Sequence, residues 1–193
     1  MNKTKLRLSL LLLGSLALGS CSKSGGNEFT AEGTITDAAG KTLYLETTDT
    51  DEPQLIDSVT LDEKGRFRFR REAHSYPAFY RLRLGESFIP FAADSVTHLT
   101  LSASGKDLFS TYKIESGDEA NKQIREIGQL RTATDKAIEA ILTQLNNGTL
   151  DRGVALARID SLSTQLKNTL TSKYIFSDPK GAAAYYALFQ SYL

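Results

Sequence analysis

Thiols, histidines and an excess of basic charge are all in short supply in this chain, and each shortage removes a class of chemistry. The 193 residues hold one cysteine, Cys21, so no intrachain disulfide and no CxxC pair can form. The two histidines, His74 and His98, stand far apart without a nearby ligand cluster. A zinc or iron site needs three or four convergent ligands, so no metal is expected. Lys plus Arg and Asp plus Glu number 23 each, and a zero formal charge gives no electrostatic case for nucleic acid. Ser58 and Ser95 have no visible base partner, and no G-x-S-x-G elbow is present. The glycines build neither a phosphate loop nor a dinucleotide fingerprint. The expectation is a non-catalytic protein without a cofactor.

What the chain does have begins at its N-terminus. Lys3, Lys5 and Arg7 precede an apolar run, Leu8 to Leu18, interrupted only by small residues. Eleven residues are too few to cross a hydrocarbon core, so residues 1–20 read as a secretory signal peptide. Leu18-Gly19-Ser20-Cys21 is similar to the lipobox of bacterial lipoproteins. That likeness implies diacylation of Cys21, which would become the mature N-terminus and the only tie to a membrane. Ser22 to Asn27 is polar and glycine-containing, so residues 21–28 read as lipidated Cys and flexible tether. Removing the leader takes three cations with it and leaves 20 basic against 23 acidic residues. The residues after Cys21 carry no acidic signal for surface display, so the expected location is the cell envelope, on the periplasmic face of the outer membrane.

Residues 29–115 read as β. Short runs at Phe29–Thr36, Lys41–Thr47, Gln54–Leu61, Arg66–Arg70, Ala78–Leu84, Ser87–Ala92, Val96–Ser102 and Thr111–Glu115 alternate with turn-forming residues. Phe67 and Phe69 share one face while Arg66, Arg68 and Arg70 share the other. Tyr80, Leu82 and Leu84 oppose Arg81 and Arg83 in the same way. An antiparallel sandwich or barrel follows.

Residues 116–193 read as a helical extension, which makes the fold class α+β. Ser116 and Glu119 have capping-box spacing, and an apolar stripe runs from Ile124 to Leu145. Asn146-Asn147-Gly148 is a stop, and Asp151 to Lys173 returns as the second arm of a helical hairpin. Asp178-Pro179 is expected to start a third helix rich in aromatics: Tyr185, Tyr186, Phe189 and Tyr192. Either those rings fold back on the hairpin, or they wait for something else to cover them.

Five segments fall in an order that resembles a known family: Phe29–Thr36, Gly40–Leu45, Ile56–Val59, Gly65–Phe69 and Pro77–Tyr80. They look like the β-rich domain of unknown function at the N-terminus of many Gram-negative envelope lipoproteins. In those proteins a helical linker and a thioredoxin-like domain, of the disulfide-reductase or peroxiredoxin-like type, follow. Tyr174–Phe189 is similar to the end of that linker. The resemblance implies a platform, free-standing or the front part of an oxidoreductase, whose partner is an envelope protein or a thioredoxin-like domain. No redox domain occurs in this sequence, so no catalytic residue carries over.

Two local features need weighing. Arg66, Arg68, Arg70, Arg71, Arg81 and Arg83 form either a basic face for a glycan or small anion, or a solvated face balanced by carboxylates such as Glu46, Asp49, Asp51, Asp62 and Glu63. The ligand-binding version uses Arg66, Arg68, Arg70, Arg81 and Arg83 as one surface. Asp57 shares strand parity with Leu55, Val59 and Leu61. It is a ligand-orienting carboxylate, a group bonded to backbone at a bulge, or a residue placed where strand pairing ends.

Overall fold

Alternating side chains build the first half of the molecule, because a strand that buries every second residue needs a second sheet to bury them against. The computed structural model describes residues 27–48, 52–116 and 118–192. The leader, Cys21, most of the tether, Asp49 and Asp51 lie outside the described residues. Seven strands come first: β1 (Glu28–Thr36), β2 (Thr42–Thr47), β3 (Gln54–Thr60), β4 (Arg66–Glu72), β5 (Ala78–Leu84), β6 (Ser87–Ala93) and β7 (His98–Ser104). A four-residue helix, α1 (Leu108–Thr111), and a short strand, β8 (Lys113–Ile114), follow. The first sheet has the order β4-β1-β7-β8 and the second β3-β2-β5-β6. They form an open sandwich, and no barrel closes.

One core lies between the sheets. Phe29, Ile35, Phe69 and Leu99 of the first sheet meet Leu43, Leu82, Ile89 and Phe91 of the second. Phe29 approaches Tyr80 with ring centroids 4.8 Å apart. The alternation holds from Arg66 to Arg70 in β4 and throughout β5, with Phe67, Phe69, Tyr80, Leu82 and Leu84 buried.

The expectation of an antiparallel sheet needs one correction. β1 pairs antiparallel with β4 but parallel with β7. Gly33 sits opposite Leu101 in that parallel pair, and a Cβ there would lie 1.8 Å from the Leu101 carbonyl oxygen. Only glycine permits this approach. The turn into β4 has a similar demand. Gly65 adopts φ +73°, and a Cβ there would lie 2.0 Å from the Ile35 carbonyl oxygen.

Two strand boundaries also move. β7 starts at His98 because Asp94 closes a turn, accepting from the Val96 amide and the Thr97 hydroxyl. The run expected at Thr111–Glu115 shrinks to two residues, since Asp107 caps α1 by accepting from the Ser110 amide.

The extension consists of α2 (Glu119–Asn146), α3 (Arg152–Leu170), a π-helical turn (Thr171–Ile175) and α4 (Ala182–Gln190). Asn147 and Gly148 end α2 as expected, with Gly148 at φ +69°. The cap at its start is Asp118, accepting from the Asn121 amide, rather than Ser116. The Ser116 amide still bonds the Thr100 carbonyl, so sheet pairing holds that residue out of the helix. The Asp178-Pro179 start is corrected too. Asp178 closes a turn to the Gly181 amide, and α4 begins where Ala182, Ala183 and Ala184 pack closely.

Burial along the hairpin is uneven. Ile124 and Ile127 are fully buried near the sandwich, whereas Ile138, Ile141 and Leu145 are half-buried farther out. Two helices shield only one side of each stripe. Among the described residues, no helix is long and apolar enough to cross a membrane.

Candidate functional site: two arginine pairings and an aromatic groove

The topology splits the expected arginine surface in two. β4 belongs to the first sheet and β5 to the second, so Arg66, Arg68 and Arg70 point outward on one side of the sandwich. Arg81 and Arg83 point outward on the other. A single face carrying all five does not form.

On the first sheet each of these three arginines meets its own carboxylate. Arg66 Nε lies 2.7 Å from Asp62 Oδ2, Arg68 Nε 3.4 Å from Glu32, and Arg70 2.5 Å from Glu28. Arg68 faces Glu32 across the strand pair, while Arg70 reaches diagonally. These carboxylates are partly exposed. Arg71 pairs with Asp57, so one contact joins β4 to β3 across the edge of the sandwich. The other Asp57 oxygen accepts from the Ser58 amide at 2.8 Å. Next to it, Ile56 is the extra residue of a bulge between Leu45 and Glu46 of β2. Asp57 therefore takes the backbone-bonded place at a bulge.

The second sheet is built differently. Glu46, 5 % exposed, accepts from Arg81 Nε at 2.6 Å and from Arg83 Nε at 2.7 Å. Burial alone would raise this carboxyl, but hydrogen bonds and charge from Arg83 and Arg81 outweigh it and hold it below its ordinary value. Arg83 lies 4.4 Å over the Tyr44 ring and Arg81 5.1 Å over Phe88. A ladder of ring, guanidinium, carboxylate, guanidinium and ring runs across β2, β5 and β6. Two cations share one anion, so the ladder keeps one positive charge.

The ladder ends at a groove of about 500 Å³ beneath α4. Phe79, Phe88 and Pro90 supply its sheet wall; Tyr185, Tyr186 and Phe189 supply its helix wall. Arg81, Thr48 and Gln190 add polar atoms at the rim. The fold-back expected of the third helix holds for part of it. Ala183 and Ala187 pack on Ile127 and Leu170, and burial pushes the Tyr186 hydroxyl up to about 12. Tyr185 and Phe189 remain 56 % and 62 % exposed.

The helices are fastened to the second sheet by a residue that sequence reasoning missed. Asn121, 2 % exposed, accepts from the Ala92 amide and donates to the Ala92 carbonyl, both at 2.8 Å. Its amide also donates to Asp118 at 2.7 Å. A side chain thus completes the hydrogen bonding of an edge strand, a device that also shields that edge. The available signal was an amide three residues ahead of Ile124, on the apolar stripe. Arg125 adds a bond from its Nε to the Tyr112 carbonyl, and Arg131 donates to the Gln190 carbonyl at 3.2 Å.

The second cleft of note, near Asp94, His98, Asp118 and Asn121, has its polar groups engaged. Asp94 and Asp118 accept the local bonds described above, and His98 Nδ1 lies 2.8 Å from the Thr30 hydroxyl. His74 stacks on Tyr76. Among the described residues, no three His, Cys, Asp or Glu side chains converge as a metal site.

A domain of unknown function, DUF4369, is found at residues 29–123. The matched stretch runs from β1 into the first turns of α2, so the Asn121 clamp belongs to it. No curated protein matches the chain.

Proposed function

We propose that this protein is a lipid-anchored, non-catalytic module of the Gram-negative cell envelope, held at the periplasmic face of the outer membrane through Cys21. Its role is to present a surface to a partner. The observation that carries this reading is the Asn121 clamp, which fixes the helical extension to β6 and so sets α4 and its exposed rings in a defined place. The basic, apolar and small-residue order ending at Cys21 supports the anchor. The family resemblance supports a thioredoxin-like partner, supplied by a separate protein or by continuing chain. Cys21→Ala tests the anchor: the variant should move from the membrane fraction to the soluble periplasmic fraction. Retention of the variant in membranes would overturn it.

A second reading is favoured by the ladder on the second sheet. Among the described residues, two guanidiniums sharing Glu46 carry one positive charge more than the ladder balances, beside an aromatic groove, which suits an anionic small ligand. The arginines of the first sheet lend no support to this reading, because each has a carboxylate of its own.

A further inference from the structure

We propose that the groove between α4 and the second sheet binds an amphiphilic organic anion, with an apolar body among Phe79, Phe88, Tyr185 and Phe189 and an acidic head at Arg81. The inference rests on the second reading above and adds to it the body of the ligand. A volume of about 500 Å³ lies within the range of roughly 300–1,000 Å³ usual for small-molecule sites. The lining is mostly apolar, with a few polar groups at its rim, the composition that fixes one end of a ligand and shelters the rest.

Charge selects the head group. Arg81 is the charged side chain in the groove lining among the described residues. No charged residue occurs from Ala182 to Gln190 in α4 or from Ser87 to Ala93 in β6. Glu46 is buried beneath the ladder and is engaged at both oxygens, so it presents little surface to a ligand. A guanidinium has five N–H donors in a planar fork. Glu46 takes the Nε donor of Arg81, which leaves the Nη edge to meet a carboxylate or sulfonate. Phe88 beneath the guanidinium holds that edge in place.

Calorimetric titration of the full chain carrying Cys21→Ala, free of detergent, tests the assignment with three probes below their micelle-forming concentrations. Dodecanoate has both parts, dodecyl maltoside has the chain without the charge, and acetate has the charge without the chain. Dodecanoate should bind saturably at one site, and dodecyl maltoside should bind about tenfold more weakly. Acetate should not register. Tyr185→Ala with Phe189→Ala should weaken dodecanoate by at least about tenfold, since two rings of the helix wall are gone. Both side chains are more than half exposed, and an unchanged circular dichroism spectrum will show that the fold persists. Arg81→Gln should bring dodecanoate and dodecyl maltoside to equal affinity.

Dodecanoate binding that survives the double substitution would overturn the groove as the site. If acetate and dodecanoate bind alike, the anionic reading stands and the apolar body falls. If no probe binds, both fall. A dimer in sedimentation that the double substitution converts to monomer, without dodecanoate binding, would assign the groove to a second copy and overturn the proposal.

Discussion

The two sheets carry the same sequence device and put it to different uses. Arg-Phe-Arg-Phe-Arg in β4 and Arg-Leu-Arg in β5 both send cations outward and apolar groups inward. On the first sheet the β4 arginines are matched one to one by partly exposed carboxylates; on the second they converge on one that is buried. Exposed pairs are screened by water and cost side-chain entropy to hold, so most contribute little. A buried carboxylate between two guanidiniums is another matter, since removing it strands charge that has already lost part of its hydration. The second sheet also carries the helices, through Ala92 and Asn121. Alternation in a strand therefore tells which way a charge points and nothing about what it meets.

The largest contrast should come from removing one carboxylate on each side. Glu46→Gln should cost about 2–3 kcal/mol in urea unfolding, because its amide can accept from one guanidinium while its NH₂ opposes the other. Glu32→Gln on the first sheet should cost less than about 0.5 kcal/mol. Equal costs would break the distinction between the sheets. Next in size is Asn121→Ala, which leaves the Ala92 amide and carbonyl without their side-chain partners and should cost about 2 kcal/mol. Hydrogen exchange would sharpen the comparison. Faster exchange should appear in the first turns of α2 and in α4, while β1 and β4 keep their protection. Uniform loss across both sheets would mean that the clamp supports the whole fold.

Much of this architecture is legible in the sequence, because short-range periodicity governs it. Phe67 and Phe69 against Arg66 and Arg68 could only be a half-buried strand, and Asn147-Gly148 could only end a helix cheaply. What escaped depends on partners distant in sequence. Arg68 and Arg81 look alike along the chain, yet strand order puts them on opposite sides of the sandwich. The parallel β1–β7 pair left one local trace, Gly33 in mid-strand, whose meaning needs Leu101 beside it. Ser116 had capping chemistry equal to that of Asp118, and the Thr100 carbonyl decided between them. Asn121 was hidden for a similar reason. An amide on an apolar stripe looks like a fault until the unpaired edge of β6 is placed against it.

Acid should narrow the difference between the sheets, and the direction follows from the two carboxyls. Glu46 is held below its ordinary value of 4.5 in the folded protein, with burial opposing and the two arginines prevailing. Its contribution is thus fully present above that value and is lost as pH falls through the depressed folded value. Asp62, in the turn leading to β4, is also lowered from its ordinary 3.8, first by the Arg66 amide and then by the Arg66 side chain. Its loss runs in the same direction, but the group is exposed and its contribution is the smaller of the two. Urea midpoints measured from pH 7 down to about 3 should show the gap between wild type and Glu46→Gln closing, because a protonated carboxyl and an amide place similar demands on Arg81 and Arg83. The gap for Asp62→Asn should start smaller and close in the same direction. A Glu46→Gln gap that stays constant with pH would mean that packing at this position, rather than its charge, distinguishes the second sheet from the first.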